Sequence, residues 1–397
     1  MAERCGVLVV TSSDSTVRSF LLGHIRGLLP HYDVTVTANC PPDQLQPHLP
    51  PGTNFTPNHI QRPIKPLADL KELIRLTRTI RHNHYWAVHT YTPKAGLLGI
   101  TAATLARTPI RIHTFTGQVW ATRTGPTRTL LRTLDKLVAT LATHTLVDGH
   151  SQRQYLIDEH VLKPHQGTVL AQGSIAGVDT ERFKPNPTTR HHTRTQHGIT
   201  DTDTLAVFIG RLNHDKGVPD LVKAFTKARQ HHPNLHLMLV GPDEEHLTPT
   251  LHTLAGPHHH HLHITGPTTT PEHHLTAADI VTLPSYREGF AVTPLEAAAC
   301  GVPMVASRIY GLADSIIEGE TGLFHDPGNT DQLADALVRL CEDDAERRFL
   351  GANARRRAIE EFDHQVVTDA LVAFYDGLRG ATATVDLTKG PIEVTHG

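Results

Sequence analysis

Apolar residues along this chain fall into short buried-type runs that alternate with helical stripes, in two successive series. The first series has strand patterns at 6–12, Val34 to Ala38, Trp86 to Thr90, Ile110 to Thr114, Thr145 to Asp148 and Thr168 to Ala171. Between them, helical periodicity covers 16–29, 67–82, 95–106, 130–142 and 152–160. Residues 41–65 are rich in Pro and polar residues and are expected as loop, with one strand near Asn58 to Gln61. Residues 173–198 lose the pattern, and then the rhythm restarts. Strands are expected at Leu205 to Gly210, Leu235 to Val240, Leu262 to Thr265, Ile280 to Leu283 and Met304 to Ser307. The helical stripes there cover 218–229, 247–254, 293–299, 330–341, 345–362 and 364–378. Alternating strands and helices predict α/β architecture with parallel, doubly wound sheets. Two such series give two Rossmann-like domains facing a central cleft. We place the first at 1–175, a linker at 176–198, the second at 199–363, a helix at 364–379 that returns to the first domain, and a tail at 381–397.

At 397 residues the chain exceeds what one hydrophobic core usually serves. No apolar run approaches the ~20 residues of a membrane helix, and Val7 to Val10 is too short for the core of a signal peptide. Cys5, Cys40, Cys300 and Cys341 are scattered, which indicates neither a disulfide framework nor a zinc site. The expectation is a cytoplasmic protein with reduced thiols. Charge divides the halves: residues 1–150 carry 16 Lys and Arg against 8 Asp and Glu, and the remainder carries 21 against 32. A basic first half suggests an anionic partner there. Two stretches concentrate this charge: Lys71, Arg75, Arg78 and Arg81 on one helix, and Arg123, Arg128, Arg132 and Lys136 among leucines. They are either solvated faces or a surface for anionic lipid headgroups.

Two segments of the second half have anion-site chemistry. Gly210-Arg211-Leu212-Asn213-His214-Asp215-Lys216-Gly217 joins a strand to a helix and places a forked and a point cation at a sheet edge. Glu288-Gly289-Phe290 precedes a helix opening at Thr293-Pro294-Leu295-Glu296, whose N-terminus favours phosphate. Glu296 admits two readings, the closing member of a capping box on Thr293 or a carboxylate turned to a ligand. Asp201-Thr202-Asp203 has a metal-signature spacing but stands in a linker. The histidines at 258–263 are read as compositional bias in a chain with 31 His, with transition-metal binding as the alternative.

In order and spacing, Gly-Arg-Leu-x-x-x-Lys-Gly, Leu239-Val240-Gly241, Thr265-Gly266, Pro284-Ser285, Glu288 with Glu296, and Gly301-Val302-Pro303 resemble the retaining glycosyltransferases of family 4, of the two-domain GT-B type. The resemblance covers most of the chain. It implies transfer of a hexosyl or N-acetylhexosaminyl group from a nucleotide-diphosphate sugar, with a UDP-sugar as expected co-substrate, no cofactor and no metal. The acceptor would be a glycan or lipid-linked glycan, as in bacterial capsule, O-antigen and exopolysaccharide synthesis, at the inner face of the plasma membrane. Nucleic acid is not an implied partner. Arg211 and Lys216 would hold the diphosphate and stabilise the leaving group. Glu288, Gly289 and Phe290 would position the sugar, Thr293 would help cradle phosphate, Glu296 would take the ribose, and Gly266 would lie near the base. His113, in Arg111-Ile112-His113-Thr114-Phe115, would line the site against the donor sugar. The first loop, Thr11 to Thr16, departs from relatives that carry a Gly pair there. A nucleotide-sugar epimerase and a non-catalytic nucleotide-sugar-binding protein remain as alternatives.

Overall fold

The computed structural model describes residues 4–61 and 63–388. The first sheet has seven strands in the order β3-β2-β1-β4-β5-β6-β7, all parallel. These are β1 (Cys5–Val10), β2 (Tyr32–Ala38), β3 (Asn54–Pro57), β4 (Ala87–Tyr91), β5 (Ile110–Phe115), β6 (His144–Val147) and β7 (Thr168–Val169). The second has six parallel strands in the order β10-β9-β8-β11-β12-β13. They are β8 (Thr204–Ile209), β9 (Leu235–Val240), β10 (Leu262–Gly266), β11 (Ile280–Leu283), β12 (Met304–Ser307) and β13 (Gly322–His325). Helices cover both faces of each sheet, so central strands are buried on both faces. Val7 to Val10 and Leu235 to Val240 are buried at every position. The α/β class and the two Rossmann-like domains are as expected.

Local differences have identifiable causes. Residues expected as unpatterned linker contain a helix, Pro187–Gln196, capped by Asn186, whose side chain accepts from the Thr189 amide. Its polar composition hid it because what anchors it is a long-range polar contact. Arg194, 1% exposed, pairs with Asp279 at 2.9 Å and donates to the carbonyls of Ala277, Thr200 and Asp203, while Arg190 takes the other Asp279 oxygen. The edge strand β3 falls at Asn54–Pro57, before the stretch where alternation placed it. In the first domain, helix Gly125–Leu141 starts five residues earlier than its apolar stripe, because Gly125-Pro126 supplies the opening turn.

The last helix, His364–Thr388, begins on the second domain, where the His364 amide donates to Val178 and Val178 to Phe362. It then packs on helix Leu22–Leu28 of the first domain. Thr368 bonds His24 at 3.1 Å, the Tyr375 hydroxyl meets His89 at 2.9 Å, and Tyr32 donates to Asp376. Gly27 lies against Thr368 with no room for a Cβ. Of the tail at 381–397, this helix accounts for residues to Thr388, and 389–397 lie outside the described residues.

Candidate functional site

The carboxyl ends of the two sheets meet. Gly117, two residues beyond β5, is back to back with Gly289 in the loop after β11: a Cβ on Gly117 would lie 3.0 Å from the Gly289 nitrogen, and one on Gly289 would collide with the Gly117 backbone. Each glycine therefore permits the approach of the other. Phe290 is buried, its ring 6.0 Å from that of Phe362 and against Gly149 and Gly173. Its side chain fills the junction between domains, so only its backbone is free to serve a ligand.

On the second domain, β8 ends in Gly210 and the turn His214–Lys216. Asn213, 5% exposed, organises this turn by accepting from the Lys216 amide at 3.0 Å while its amide group donates to Glu244. Gly217 closes it at φ +68° against the Pro284 carbonyl, where any other residue would meet both a strained backbone and a steric block. Lys216 Nζ then pairs with Glu288 at 2.5 Å, both side chains largely enclosed. Arg211, half exposed, pairs with Glu244 at 2.9 Å. The two cations of the expected diphosphate site thus share one turn, and each is neutralised by a carboxylate. Arg287 to Asp215 at 3.1 Å and Tyr286 to Asp220 at 2.6 Å hold the facing loop to the same segment.

Glu296 stands apart from this group. Helix Thr293–Ala299 has Val292 as its N-cap residue, with no side-chain capping bond; the Val292 carbonyl accepts from Leu295 and Glu296. Thr293 is therefore the first helical residue rather than the cap, and Glu296 does not close a capping box. Among the described residues its carboxylate has no hydrogen-bond partner. Burial pushes its pKa up to about 7, opposed by the charge of Arg182 and reinforced by Glu272. Arg182 itself pairs with Glu272 at 2.8 Å. Gly266, at the end of β10, has φ +73° and accepts at its carbonyl from the Gly241 amide, with open space where a Cβ would stand.

His113 is not brought to this junction. β5 runs on to Phe115, so His113 points into the first domain, 2% exposed. Its Nδ1 lies 2.8 Å from Thr90 Oγ1, and its ring packs edge-on to Phe115 and against Gly96, where a Cβ would strike it. Burial drops its pKa to about 3. The strand-end positions that face the second domain are Thr116, Gly117 and Gln118, and Gln118 is tied to the Thr116 carbonyl at 2.6 Å. Continuing the two-residue alternation of β5 past Thr114 marks Thr116 and Gln118, and Gly117 lies between them. Asn213 has a local signal, since it caps the turn by accepting from the Lys216 amide three residues on, whereas Arg182 has none, its partner Glu272 being remote along the chain.

The expected histidine-rich stretch forms a short turn, Gly256–His261, at the β10 edge. Neighbouring His236 lies 3.0 Å from His263 and 3.4 Å from His261. Asp203 of the Asp-Thr-Asp segment accepts from Thr200. Among the described residues, no three His, Cys, Asp or Glu are grouped to hold a metal ion.

Comparison with known proteins places this geometry. The family model described as "Glycosyl transferases group 1" matches residues 189–357, and "Glycosyl transferase 4-like domain" matches residues 18–173. The chain is 26% identical over 318 residues to the capsular polysaccharide biosynthesis glycosyltransferase CapM of Staphylococcus aureus, across 80% of this chain and 83% of that one. It is 30% identical over 309 residues to the D-inositol 3-phosphate glycosyltransferase of Pseudarthrobacter chlorophenolicus, across 73% of this chain and 70% of that one. Among solved structures, Anabaena Alr3699/HepE in complex with UDP and glucose superposes with a TM-score of 0.76 at 18% identity, covering 93% of this chain and 99% of that chain.

Proposed function

Because the chain belongs to the GT4-type glycosyltransferases and has their GT-B fold, we propose that it is a retaining, metal-independent enzyme. In this reading it moves a hexosyl or N-acetylhexosaminyl group from a UDP-sugar to a cell-surface glycan precursor carried on a lipid. The observation that carries the reading is the turn after β8, where Arg211 and Lys216 lie together, each held by a carboxylate. An incoming diphosphate competes with Glu244 for Arg211 and with Glu288 for Lys216. Its binding frees Glu288 to turn to the sugar and leaves both cations on the phosphates. An acceptor hydroxyl then attacks the anomeric carbon on the face the diphosphate leaves. The carbon–oxygen bond to the diphosphate breaks, and the hydroxyl proton passes to the departing phosphate oxygen. Glu296, enclosed and without a partner, is the assigned ribose acceptor. The structural relative that holds UDP and glucose supports the donor class.

The test is thermal stabilisation by a panel of nucleotides and nucleotide sugars, because a ligand that binds the native state raises its melting temperature. UDP is expected to stabilise the wild type, and Arg211→Ala and Lys216→Ala are expected to lose most of that shift. Stabilisation unchanged in both variants would place the diphosphate elsewhere. Transfer with retained anomeric configuration, read by NMR of the product, separates this activity from epimerisation of the free donor.

A lipid-linked acceptor requires approach to a membrane, although no helix among the described residues is long and apolar enough to cross one. Ile64, Leu67, Leu70 and Ile74 at the start of helix Pro66–Asn83 are exposed, beside exposed Lys65, Lys71 and Arg78. Apolar insertion next to cations is the chemistry of an anionic bilayer surface. Arg128 and Arg132 contribute less than their sequence suggested, since both pair with Glu159. Leu67→Ser with Leu70→Ser, and separately Lys71→Glu with Arg78→Glu, are expected to abolish sedimentation with anionic vesicles. Retained sedimentation in both pairs rules this surface out.

A further inference from the structure

The two domains are joined by a contact that none of the donor chemistry requires. Helix His150–Asp158 of the first domain has Gly149 at its N-cap position, so it brings no side-chain cap of its own. The cap comes from the other domain. Asp314 Oδ2 accepts from the Ser151 amide and Asp314 Oδ1 from the Ser151 hydroxyl, both at 2.8 Å. Gly149 is where the carboxylate enters, since a Cβ there would collide with it. One turn along, Tyr155 stacks on Tyr310 with centroids 4.4 Å apart and planes 9° from parallel. Residues four apart on one helix thus meet residues four apart on the opposing segment.

Both sides of this contact lead into the site. Tyr155 also stacks on Trp120, at 5.6 Å, whose indole donates to Asp135 and anchors the pair in the first domain. On the second domain, Gly311 lies between Tyr310 and Asp314, and its backbone is pressed against the carbonyls of Glu288 and Gly289, with no space for a Cβ. The Ala291 amide donates to the Gly311 carbonyl at 3.3 Å. The Asp314 carbonyl accepts from Arg357, whose guanidinium covers the ring of Phe362 just before the chain crosses to the first domain. The segment 310–314 is therefore clamped between the first domain and the loop that carries Glu288 and Gly289.

We propose that Asp314 is a positioning residue: by capping the 150–158 helix in trans it latches the domains together and seats the Glu288–Gly289 turn against Gly117. A carboxylate suits the task because it accepts two hydrogen bonds at once and complements the positive end of the helix. The latch acts on transfer and not on donor affinity, because the diphosphate and ribose groups all belong to the second domain. This part of the inference rests on the proposed glycosyl transfer, while the latch itself does not.

Two measurements on the full chain test it. Hydrogen exchange needs no substrate: Asp314→Ala is expected to speed exchange at the amides of 151–153 and 288–291 about 10-fold or more, with other protected amides unchanged. In the transfer assay, Asp314→Ala is expected to lower kcat about 10- to 100-fold with the donor KM within about twofold, and Asp314→Asn to fall between. Adding Ser151→Ala to Asp314→Ala should cost little more, because the two changes remove one contact. Unchanged exchange in both segments overturns the latch. A kcat loss matched by an equal loss of UDP affinity overturns the positioning role and makes Asp314 part of the donor site. Should the wild type transfer no sugar, the glycosyl-transfer reading fails while the exchange response still decides the latch.

Discussion

Glu296 shows how far a single residue can be read. The run Thr293-Pro294-Leu295-Glu296 fits a capping box, yet the helix takes Val292 as its cap and leaves the carboxylate without a hydrogen bond. A carboxyl with a native pKa of about 7 holds a proton that the unfolded chain has released above about pH 4.5. Its cost to the native state thus develops as pH rises from about 4.5 to 7 and is complete at pH 8. Glu296→Gln is expected to raise the stability of the free protein at pH 8 by about 1–2 kcal/mol, to have no such effect at pH 4.5, and to weaken UDP binding about 10-fold through the lost ribose contact. Melting curves at the two pH values with a UDP titration check all three. A destabilised free protein with unchanged UDP affinity rejects the ribose role. His113 poses the reverse case. Buried beneath helix Pro93–Leu105 and bonded to Thr90, it should act on the fold: His113→Gln is expected to lower the melting temperature while transfer kcat stays within a few-fold. Loss of transfer in a variant with an unshifted melting temperature would return His113 to the reaction centre.

At the scale of elements, the strands were legible because parallel strands covered on both faces read as near-continuous apolar runs, unbroken at Val7 to Val10 and interrupted only by His236 in Leu235 to Val240. The Arg211–Lys216 turn and the Glu288 loop were legible for a related reason, since each follows such a strand directly. What stayed hidden depends on partners far along the chain. The 187–196 helix is held by Asp279, and Asp314 looks like an ordinary surface carboxylate until Ser151 is placed beside it. The returning helix lies between these cases, with a plain apolar stripe whose destination no local pattern names. Its anchor is Tyr375, fully buried, with its ring 5.5 Å from Tyr32 and its hydroxyl 2.9 Å from His89 Nδ1. Tyr375→Phe leaves that imidazole nitrogen buried without this partner and is expected to cost about 1–3 kcal/mol. Tyr375→Ala also opens a cavity and is expected to cost about 3–5 kcal/mol. Urea unfolding of both variants measures the difference, and equal losses would mean that the ring contributes nothing to docking the helix.

For the whole molecule, histidine content becomes a statement about acid. Burial lowers the pKa of His113 to about 3 and of His236 and His263 to about 4, and it also lowers His24 and His89. Each of these five is harder to protonate in the native state than in the unfolded chain, where histidine titrates near 6.5. Their stabilising effect is complete above about pH 6.5 and is lost as pH falls toward 4. Three carboxyls work in the opposite direction. Asp148, pushed up to about 8, Glu296, at about 7, and Asp135, at about 6, hold protons that the unfolded chain loses, so they favour the native state increasingly as pH falls from 8. Toward pH 8 the carboxyls prevail, and below about 6.5 the more numerous histidines outweigh them. The unfolded chain then binds more protons than the native one, so stability falls as the pH falls, against a total of only about 5–15 kcal/mol. Melting temperature is therefore expected to peak between pH 6.5 and 7 and to drop sharply below pH 6. Replacing the contacting pair His236 and His263 by glutamine should flatten that acid limb and leave the limb above pH 7 unchanged. A melting temperature constant from pH 7 to 5 in the wild type would mean that these histidines gain protons without unfolding, through local opening of the β9–β10 edge.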